Sequence, residues 1–163
     1  MLTEILLYKR LSLYSSGRKG CVYMYKKILL PYDFANTFDN VPDQLVKLTE
    51  NNADAVITIL NIVTDGEMSG DDRFNGKSFR GITKERGEKL KPFTDRLDER
   101  GLNYEVRFEA GRVITELLKE IKENEYDIIL MSNRRSKMEL KHVLGHVTHK
   151  IAKRVNTPVM IIK

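Results

Sequence analysis

The chain has 163 residues, which fits one compact domain and leaves room for a short appendage. With 41% apolar and 31% charged residues it is not a disordered chain, and a single cysteine excludes an internal disulfide. The net charge is +5, and residues 132–156 hold much of it, with seven basic residues against one acidic residue. An anionic partner is therefore best sought near that segment.

The start of the chain does not read as a targeting segment. Glu4 stands where an export signal has positive charge, and Lys9 and Arg10 interrupt the apolar stretch. No apolar run approaches the roughly 18 to 20 residues that a membrane helix needs. We therefore expect a cytoplasmic protein with no membrane contact and a domain of residues 24–163. Residues 1–23 are expected to be a loosely attached extension or an artefact of an upstream start, with a short docking helix as the alternative.

The first half of that domain alternates short apolar runs with longer amphipathic stretches, which indicates alternating strands and helices. The pattern predicts a first strand from Lys26 to Tyr32 and a helix from Val41 to Asn52, with Asn40 as a candidate cap. A second strand follows from Asp54 to Val63. The Gly- and Asp-rich residues from Thr64 to Arg80 predict a long loop, either a lid or binding segment or a floppy insertion.

The second half continues the alternation. A second helix is predicted from Ile82 to Arg100, where Pro92 should bend or split it and Gly101 should end it. The third strand, from Asn103 to Glu109, alternates apolar and polar residues and is expected at an edge. The remaining predicted elements are a helix opened by Gly111, a strand from Tyr126 to Met131, a helix within Leu144 to Val155 and a strand from Thr157 to Lys163.

Five strands separated by helices predict an α/β fold, a three-layer doubly wound parallel sheet of Rossmann-like type. In such sheets a ligand lies beyond the carboxyl ends of the strands where the strand order reverses, here between strands one and four. Strand one ends in Pro31 and Asp33, and the last helix begins near Gly145. A carboxylate there can accept ribose hydroxyl groups, and free amides at the helix start can hold phosphate oxygens. Asp33 has an alternative role, which is to cap the following turn.

Several segments together carry a family resemblance. YKKILLPYDF, ILNIVTD, and the stretch from YDIILMSN through LGHVTHKIAKRVNTPVMIIK resemble a universal stress protein, over residues 24–163. The resemblance implies the fold of the adenine nucleotide alpha hydrolases, with strand order 3-2-1-4-5, and a regulatory role in the stress response. It also implies a homodimer formed through the last strand, Pro158 to Lys163, and ATP or AMP as the ligand.

Nucleotide-binding members of that family carry Gly-x2-Gly-x9-Gly-Ser/Thr after strand four. Here Ser132 and Arg135 stand at the first two glycine positions, Gly145 keeps the third, and His146 replaces the hydroxyl residue. By the resemblance, Asp33 would bind the ribose and the backbone of Ile62 would face the adenine. The full set of candidate binding residues is Pro31, Asp33, Ile62, Ser132, Asn133, Arg135, Gly145, His146, Val147 and Thr148.

The departures from the motif leave two outcomes open. A left-handed conformation at Ser132 or Arg135 would cost about 1 to 3 kcal/mol per residue and weaken nucleotide binding. The forked donors of Arg134 and Arg135 would offer phosphate a comparable stabilisation. One interpretation is therefore a protein that keeps the fold and the dimer but does not bind ATP tightly. The other is a protein with a degenerate nucleotide site.

Catalysis and metal binding find less support in the sequence. No nucleophile and base can be paired, so we expect no enzyme, with a phosphate-substrate enzyme showing slow nucleotide hydrolysis as the alternative. His142, His146 and His149 share one helix face, but that face points to water and shows no further ligand, so no metal site is assigned. We expect no nucleic-acid partner, because residues 132–156 contain no aromatic residue on which bases could stack.

Overall fold

The structure is a computed structural model that describes residues 25–35, 38–50, 52–71, 78–132 and 145–162. These segments contain ten helices and strands. They are β1 (Lys27–Pro31), α1 (Val41–Thr49), β2 (Val56–Val63), α2 (Asp65–Asp71), α3 (Phe79–Asp98), β3 (Asn103–Ala110), α4 (Val113–Asn124), β4 (Ile128–Ser132), α5 (His146–Arg154) and β5 (Val159–Ile162).

All five strands form one parallel sheet in the order β3-β2-β1-β4-β5, which confirms the predicted fold class. Leu29 of β1 pairs with Thr58 of β2 on one side and with Ile129 of β4 on the other. The chain first builds outward from β1 through β2 to β3 and then returns to add β4 on the opposite side. The strand order therefore reverses at the carboxyl ends of β1 and β4, where a doubly wound sheet binds its ligands.

Helices cover both faces of the sheet, so β1 contributes to two apolar cores. Leu30 belongs to the core that α1 and α3 cover, whereas Leu29 belongs to the core that α4 and α5 cover. Both side chains are fully buried. An uninterrupted apolar run is what a strand buried on both faces requires. At the edge of the sheet, β3 stays half-exposed along most of its length, and this confirms the edge position predicted from its alternating pattern.

The long helix α3 is continuous through Pro92, so of the two predicted outcomes, a bend or a split, the split does not occur. Pro92 lies on the exposed face of the helix, where water can hydrogen-bond the carbonyl group that a proline leaves unpaired. The predicted stop is confirmed: Gly101 adopts a φ of 66°, and its amide and that of Leu102 donate back to Asp98 and Leu97. A left-handed residue at this point is the usual end of a helix.

Three other predictions need correction. The segment from Thr64 to Arg80 is not a loop throughout, because α2 occupies Asp65–Asp71 and α3 already begins at Phe79. Helix α1 ends at Thr49 and not at Asn52, whose side-chain amide instead donates to the carbonyl oxygen of Tyr25 at 2.9 Å. Asn40 takes the N-cap position of α1, but its side chain makes no capping hydrogen bond.

Several predictions fall on residues outside the described segments. These are the extension of residues 1–23, the middle of the predicted loop at 72–77, and Lys163 at the end of the fifth strand. Within the described ranges, no helix is both long and apolar enough to cross a membrane.

Candidate functional site

A cleft of about 650 Å³ opens at the carboxyl ends of β1, β2 and β4. Its volume lies in the range of small-molecule sites, and its place is the one at which the strand order reverses. The described residues that line it are Pro31, Tyr32, Asp33, Phe34, Ala35, Leu60, Asn61, Ile62, Thr64, Glu67, Arg86, Val113, Leu117, Met131, Ser132, Gly145, His146, Val147 and Thr148.

One end of the cleft is formed by the start of α5. Gly145 is the N-cap of this helix, and the first turn contains no acidic residue. The first amides of a helix have no carbonyl partner within the helix, and the helix dipole adds positive potential there, so this end suits an anionic group. Gly145 has φ −61° and ψ 153°, a conformation open to any residue, and a Cβ there would approach only the Thr148 hydroxyl, at 3.9 Å. The fold therefore does not require glycine at this position.

Asp33 stands at the rim of the cleft, directly after β1. Its Oδ1 accepts a hydrogen bond from the amide of Ala35 at 2.7 Å, so the carboxylate caps the turn that follows the strand. This is the alternative role considered from the sequence. The side chain is exposed and also lines the cleft, so capping and ligand binding are compatible. A carboxylate can accept several hydrogen bonds at once.

The opposite end of the cleft is built by Glu67 of α2 and by Thr64, which precedes that helix. Glu67 Oε2 accepts hydrogen bonds from the amide and from the hydroxyl group of Thr64, both at 2.8 Å. Burial alone would raise the pKa of Glu67. The two Thr64 hydrogen bonds and the guanidinium of Arg86 outweigh burial, so the pKa of Glu67 lies below its ordinary value.

Arg86 of α3 links this end of the cleft to the sheet. Its Nη1 donates to Oδ1 of Asn61 at 2.5 Å and to the carbonyl oxygen of Ile62 at 3.2 Å, and its Nη2 forms an ion pair with Glu67. Asn61 is buried and in turn donates to the carbonyl oxygen of Tyr32 at 2.8 Å. The Arg86 side chain is only 15% exposed. The network thus fixes a mostly buried cation in the wall of the cleft.

Aromatic rings form the wall between these two ends. The ring of Tyr32 stacks on Phe38 with centroids 4.2 Å apart and meets Phe34 edge-on at 5.2 Å. Burial raises the pKa of the Tyr32 phenol, although the charge of Arg96 partly opposes this. The guanidinium carbon of Arg86 lies 5.8 Å from the centroid of the Phe34 ring, within the range of a cation–π contact. Phe34 therefore presents a partly exposed ring beside a cation.

The structure brings eight of the ten sequence-predicted residues to this one cleft. They are Pro31, Asp33, Ile62, Ser132, Gly145, His146, Val147 and Thr148. The other two, Asn133 and Arg135, lie outside the described residues, as do Arg134 and His142. His146 and His149 are exposed on α5. Over the described part of the chain, no cluster of three metal-ligating side chains occurs.

Sequence reasoning missed the second end of the cleft. Thr64 and Glu67 match the capping-box sequence Thr-x-x-Glu, a signal for a helix start after β2, and the Glu67 carboxylate caps the Thr64 amide as that motif requires. The position of Arg86 was also informative in the sequence. It lies one helical turn after Ile82 and one turn before Leu90, and both of these residues are buried. A charged residue inside a buried helical stripe usually has a partner or a role.

Comparisons with known proteins agree on one family. The model of the universal stress protein family matches residues 24–163. Universal stress protein MJ0577 of Methanocaldococcus jannaschii is 26% identical over 157 residues, covering 86% of this chain and 96% of that protein. A solved structure of MJ0577 superposes with a TM-score of 0.70 at 25% identity, covering 86% of this chain and 97% of the other.

Two more distant solved structures share the fold. A universal stress protein in complex with cAMP superposes with a TM-score of 0.60 at 17% identity, covering 86% of this chain and 98% of the other. The universal stress protein from Archaeoglobus fulgidus in complex with dAMP has a TM-score of 0.57 at 15% identity, with coverage of 86% and 100%.

Proposed function

Because the chain belongs to the universal stress protein family, we propose that it is a regulatory protein of the stress response that binds an adenine nucleotide, AMP or ATP, in the cleft. The observation that carries the proposal is the meeting of Asp33 with the start of α5 at Gly145 in a single cavity of about 650 Å³. Two relatives of the same fold are complexes with cAMP and with dAMP, which supports a nucleotide as the ligand class.

The described residues fit such a ligand. The phosphate lies at the start of α5, where the amides of His146, Val147 and Thr148 are the donors and the Gly145 backbone permits close approach. The ribose hydroxyl groups donate to Asp33. The base then extends along the cleft toward Ile62. Each part of the nucleotide meets groups of complementary chemistry.

A thermal shift measurement tests this proposal. AMP or ATP at 100 times its dissociation constant should stabilise the fold by about 2.7 kcal/mol, because the ligand binds the folded chain alone. Adenosine, which lacks the phosphate, is the matched control and should stabilise less at equal concentration. An unchanged melting temperature with both nucleotides at millimolar concentration would remove nucleotide binding from the proposal.

The altered phosphate motif offers a second test of the same site. Replacing Ser132 and Arg135 by glycine and His146 by serine gives the residue types of the nucleotide-binding relatives. We expect this triple variant to bind ATP more tightly than the natural chain, because glycine removes side chains from the path of the phosphates. Weaker binding would instead identify Arg135 or His146 as a phosphate ligand.

We further propose that the chain forms a homodimer through its last strand. β5 ends the sheet order, so one edge of it is unpaired within the described chain, and such an edge is a template for pairing. Ile161 is buried within the single chain, with only 7% of its surface exposed, whereas Met160 is partly exposed. Met160→Arg therefore tests the interface with less damage to the core: light scattering should give a monomer, and an unchanged dimer would place the interface elsewhere.

A further inference from the structure

The two ends of the cleft differ in charge balance. At the α5 end the first amides of the helix have no acceptor among the described residues, and the first turn contains no acidic residue. The other end holds a cation, Arg86, whose charge is already matched by Glu67 in an ion pair. An anionic ligand group gains more at α5, because at Arg86 it would meet the carboxylate as well. The uncharged part of the ligand is thus left to the Arg86 end.

Arg86 has more hydrogen-bond donors than acceptors in its surroundings. A guanidinium carries five N–H groups, and three of them are used: two on Nη1, for Asn61 and the Ile62 carbonyl, and one on Nη2, for Glu67. Among the described residues, Nε and the second proton of Nη2 have no acceptor. The side chain is 15% exposed and lines the cleft, so a ligand bound in the cleft can supply acceptors to these two donors.

We propose that Arg86 donates a hydrogen bond to a ring nitrogen of the nucleobase and so selects bases that carry an acceptor at that position. The inference rests on the proposed function and adds a residue and a recognition chemistry to it. The Ile62 carbonyl and the Asn61 amide oxygen hold the guanidinium from the sheet side, and Glu67 holds it from α2. A base atom that is itself a donor would face the donors of Arg86 at this point and would be rejected.

Glu67 acts on the base through Arg86, as a positioning residue. Its carboxylate is held by the two Thr64 hydrogen bonds, so the ion pair fixes the orientation of the guanidinium plane relative to the end of β2. A fixed donor loses little freedom when the ligand binds, which favours both affinity and selectivity.

Calorimetric titration of two ligands separates base recognition from phosphate binding. AMP should bind Arg86→Met about 10-fold to 100-fold more weakly than wild type, the usual range for a hydrogen bond to a charged group. Ribose 5-phosphate, which has no base, should bind both proteins equally. Arg100→Met is the matched control, because Arg100 lies in the turn just after the same helix, with three hydrogen bonds of its own and away from the cleft.

Adenine analogues test the same hydrogen bond in the unmodified protein, so the result does not depend on how Arg86→Met folds. Of 1-deaza-, 3-deaza- and 7-deaza-AMP, one should bind wild type about tenfold or more weakly than AMP, and the same analogue should lose nothing further on Arg86→Met. The inference would be overturned if all three analogues bound wild type as tightly as AMP does. It would also be overturned if Arg86→Met weakened the binding of ribose 5-phosphate and of AMP by the same factor. Failure of AMP to bind wild type would instead overturn the proposed function.

Discussion

Two glutamates of this chain each meet an arginine and a hydroxyl group, but their surroundings are opposite. Glu120 of α4 is 4% exposed, and its Oε1 accepts hydrogen bonds from Tyr126, Arg107 and Asn124. The Glu67 side chain is 48% exposed and stands at an open cleft. The first cluster joins α4 to the edge strand β3, whereas the second leaves two arginine donors beside a cavity.

The difference separates structural from functional use of the same chemistry. Around Glu120 the buried carboxylate takes three donors from the chain itself, and the remaining N–H groups of Arg107, whose side chain is 34% exposed, can be met by water, so the cluster needs no ligand and contributes to stability. Around Arg86 the donors outnumber the acceptors in the described residues, so the cluster is complete only when something else enters the cleft. The surroundings of the remaining arginine donors, water at Arg107 and the cleft at Arg86, therefore distinguish the two clusters more clearly than does the presence of charge.

The largest expected effect comes from breaking the enclosed cluster. Glu120→Ala should lower the free energy of unfolding by about 2 to 4 kcal/mol, because three donors lose their acceptor and Arg107 loses a buried partner. AMP affinity should stay within about twofold of wild type once the protein is folded. Urea unfolding and calorimetry measure the two effects, with Glu123→Ala, exposed on the same helix, as the control. An equal loss in Glu123→Ala would contradict the assignment.

Tyr126 extends this prediction to pH. Burial and the hydrogen bond to Glu120 raise the pKa of Tyr126 to about 12. The unfolded chain releases this proton near pH 10, so the stability it contributes is present below about pH 10 and is lost as pH rises toward 12. Tyr126→Phe should cost about 1.5 to 2 kcal/mol at neutral pH. Thermal unfolding should show the stability difference between wild type and Tyr126→Phe shrinking between about pH 10 and pH 12. A difference that stays constant over this range would contradict the role given to Tyr126.

At the cleft the expected effect is on binding. Gly145→Ala should weaken AMP binding about tenfold, equivalent to about 1.4 kcal/mol, by placing a methyl group where a phosphate approaches. The change in folding stability should stay below about 1 kcal/mol, because the backbone conformation is open to alanine. Gly87→Ala is the matched control, since a Cβ there meets open space. Equal AMP affinity in the two variants would remove Gly145 from the site.

The smallest expected effect is that of the half-exposed ion pair. Glu67→Gln should change the free energy of unfolding by less than about 1 kcal/mol at neutral pH. Because the pKa of Glu67 is lowered in the folded state, its contribution is present above its ordinary range, near pH 4.3, and is lost as pH falls through the lowered value. Acid unfolding of the two proteins should therefore converge at low pH. A difference that persists there would contradict this assignment.

The strands could be predicted from the sequence, because a continuous apolar run such as β1 suits a strand buried on both faces of a parallel sheet, and their order followed from the family resemblance. The order then placed Asp33 near Gly145, although 112 positions separate them in the chain. Helix α2 was missed because Gly66 and Gly70 weaken its helix propensity, and the capping box of Thr64 and Glu67 compensates.

Arg86 could not be assigned to the cleft for a different reason. It lies in the middle of α3, 24 positions after Ile62 in the chain, and no motif links it to the strand ends. Its partners Asn61 and Glu67 come together with it only when α3 packs across the end of β2. Charge partners of this kind depend on tertiary packing, which periodicity does not specify.

Amide chemical-shift mapping tests the central claim most directly. AMP added to the isotopically labelled protein should shift the backbone amides of residues 145–148, of Asp33 to Ala35 and of Ile62 to Thr64, and should leave those around Glu120 unchanged. No shifts at millimolar AMP, or shifts confined to residues away from the carboxyl ends of β1 and β4, would contradict the account.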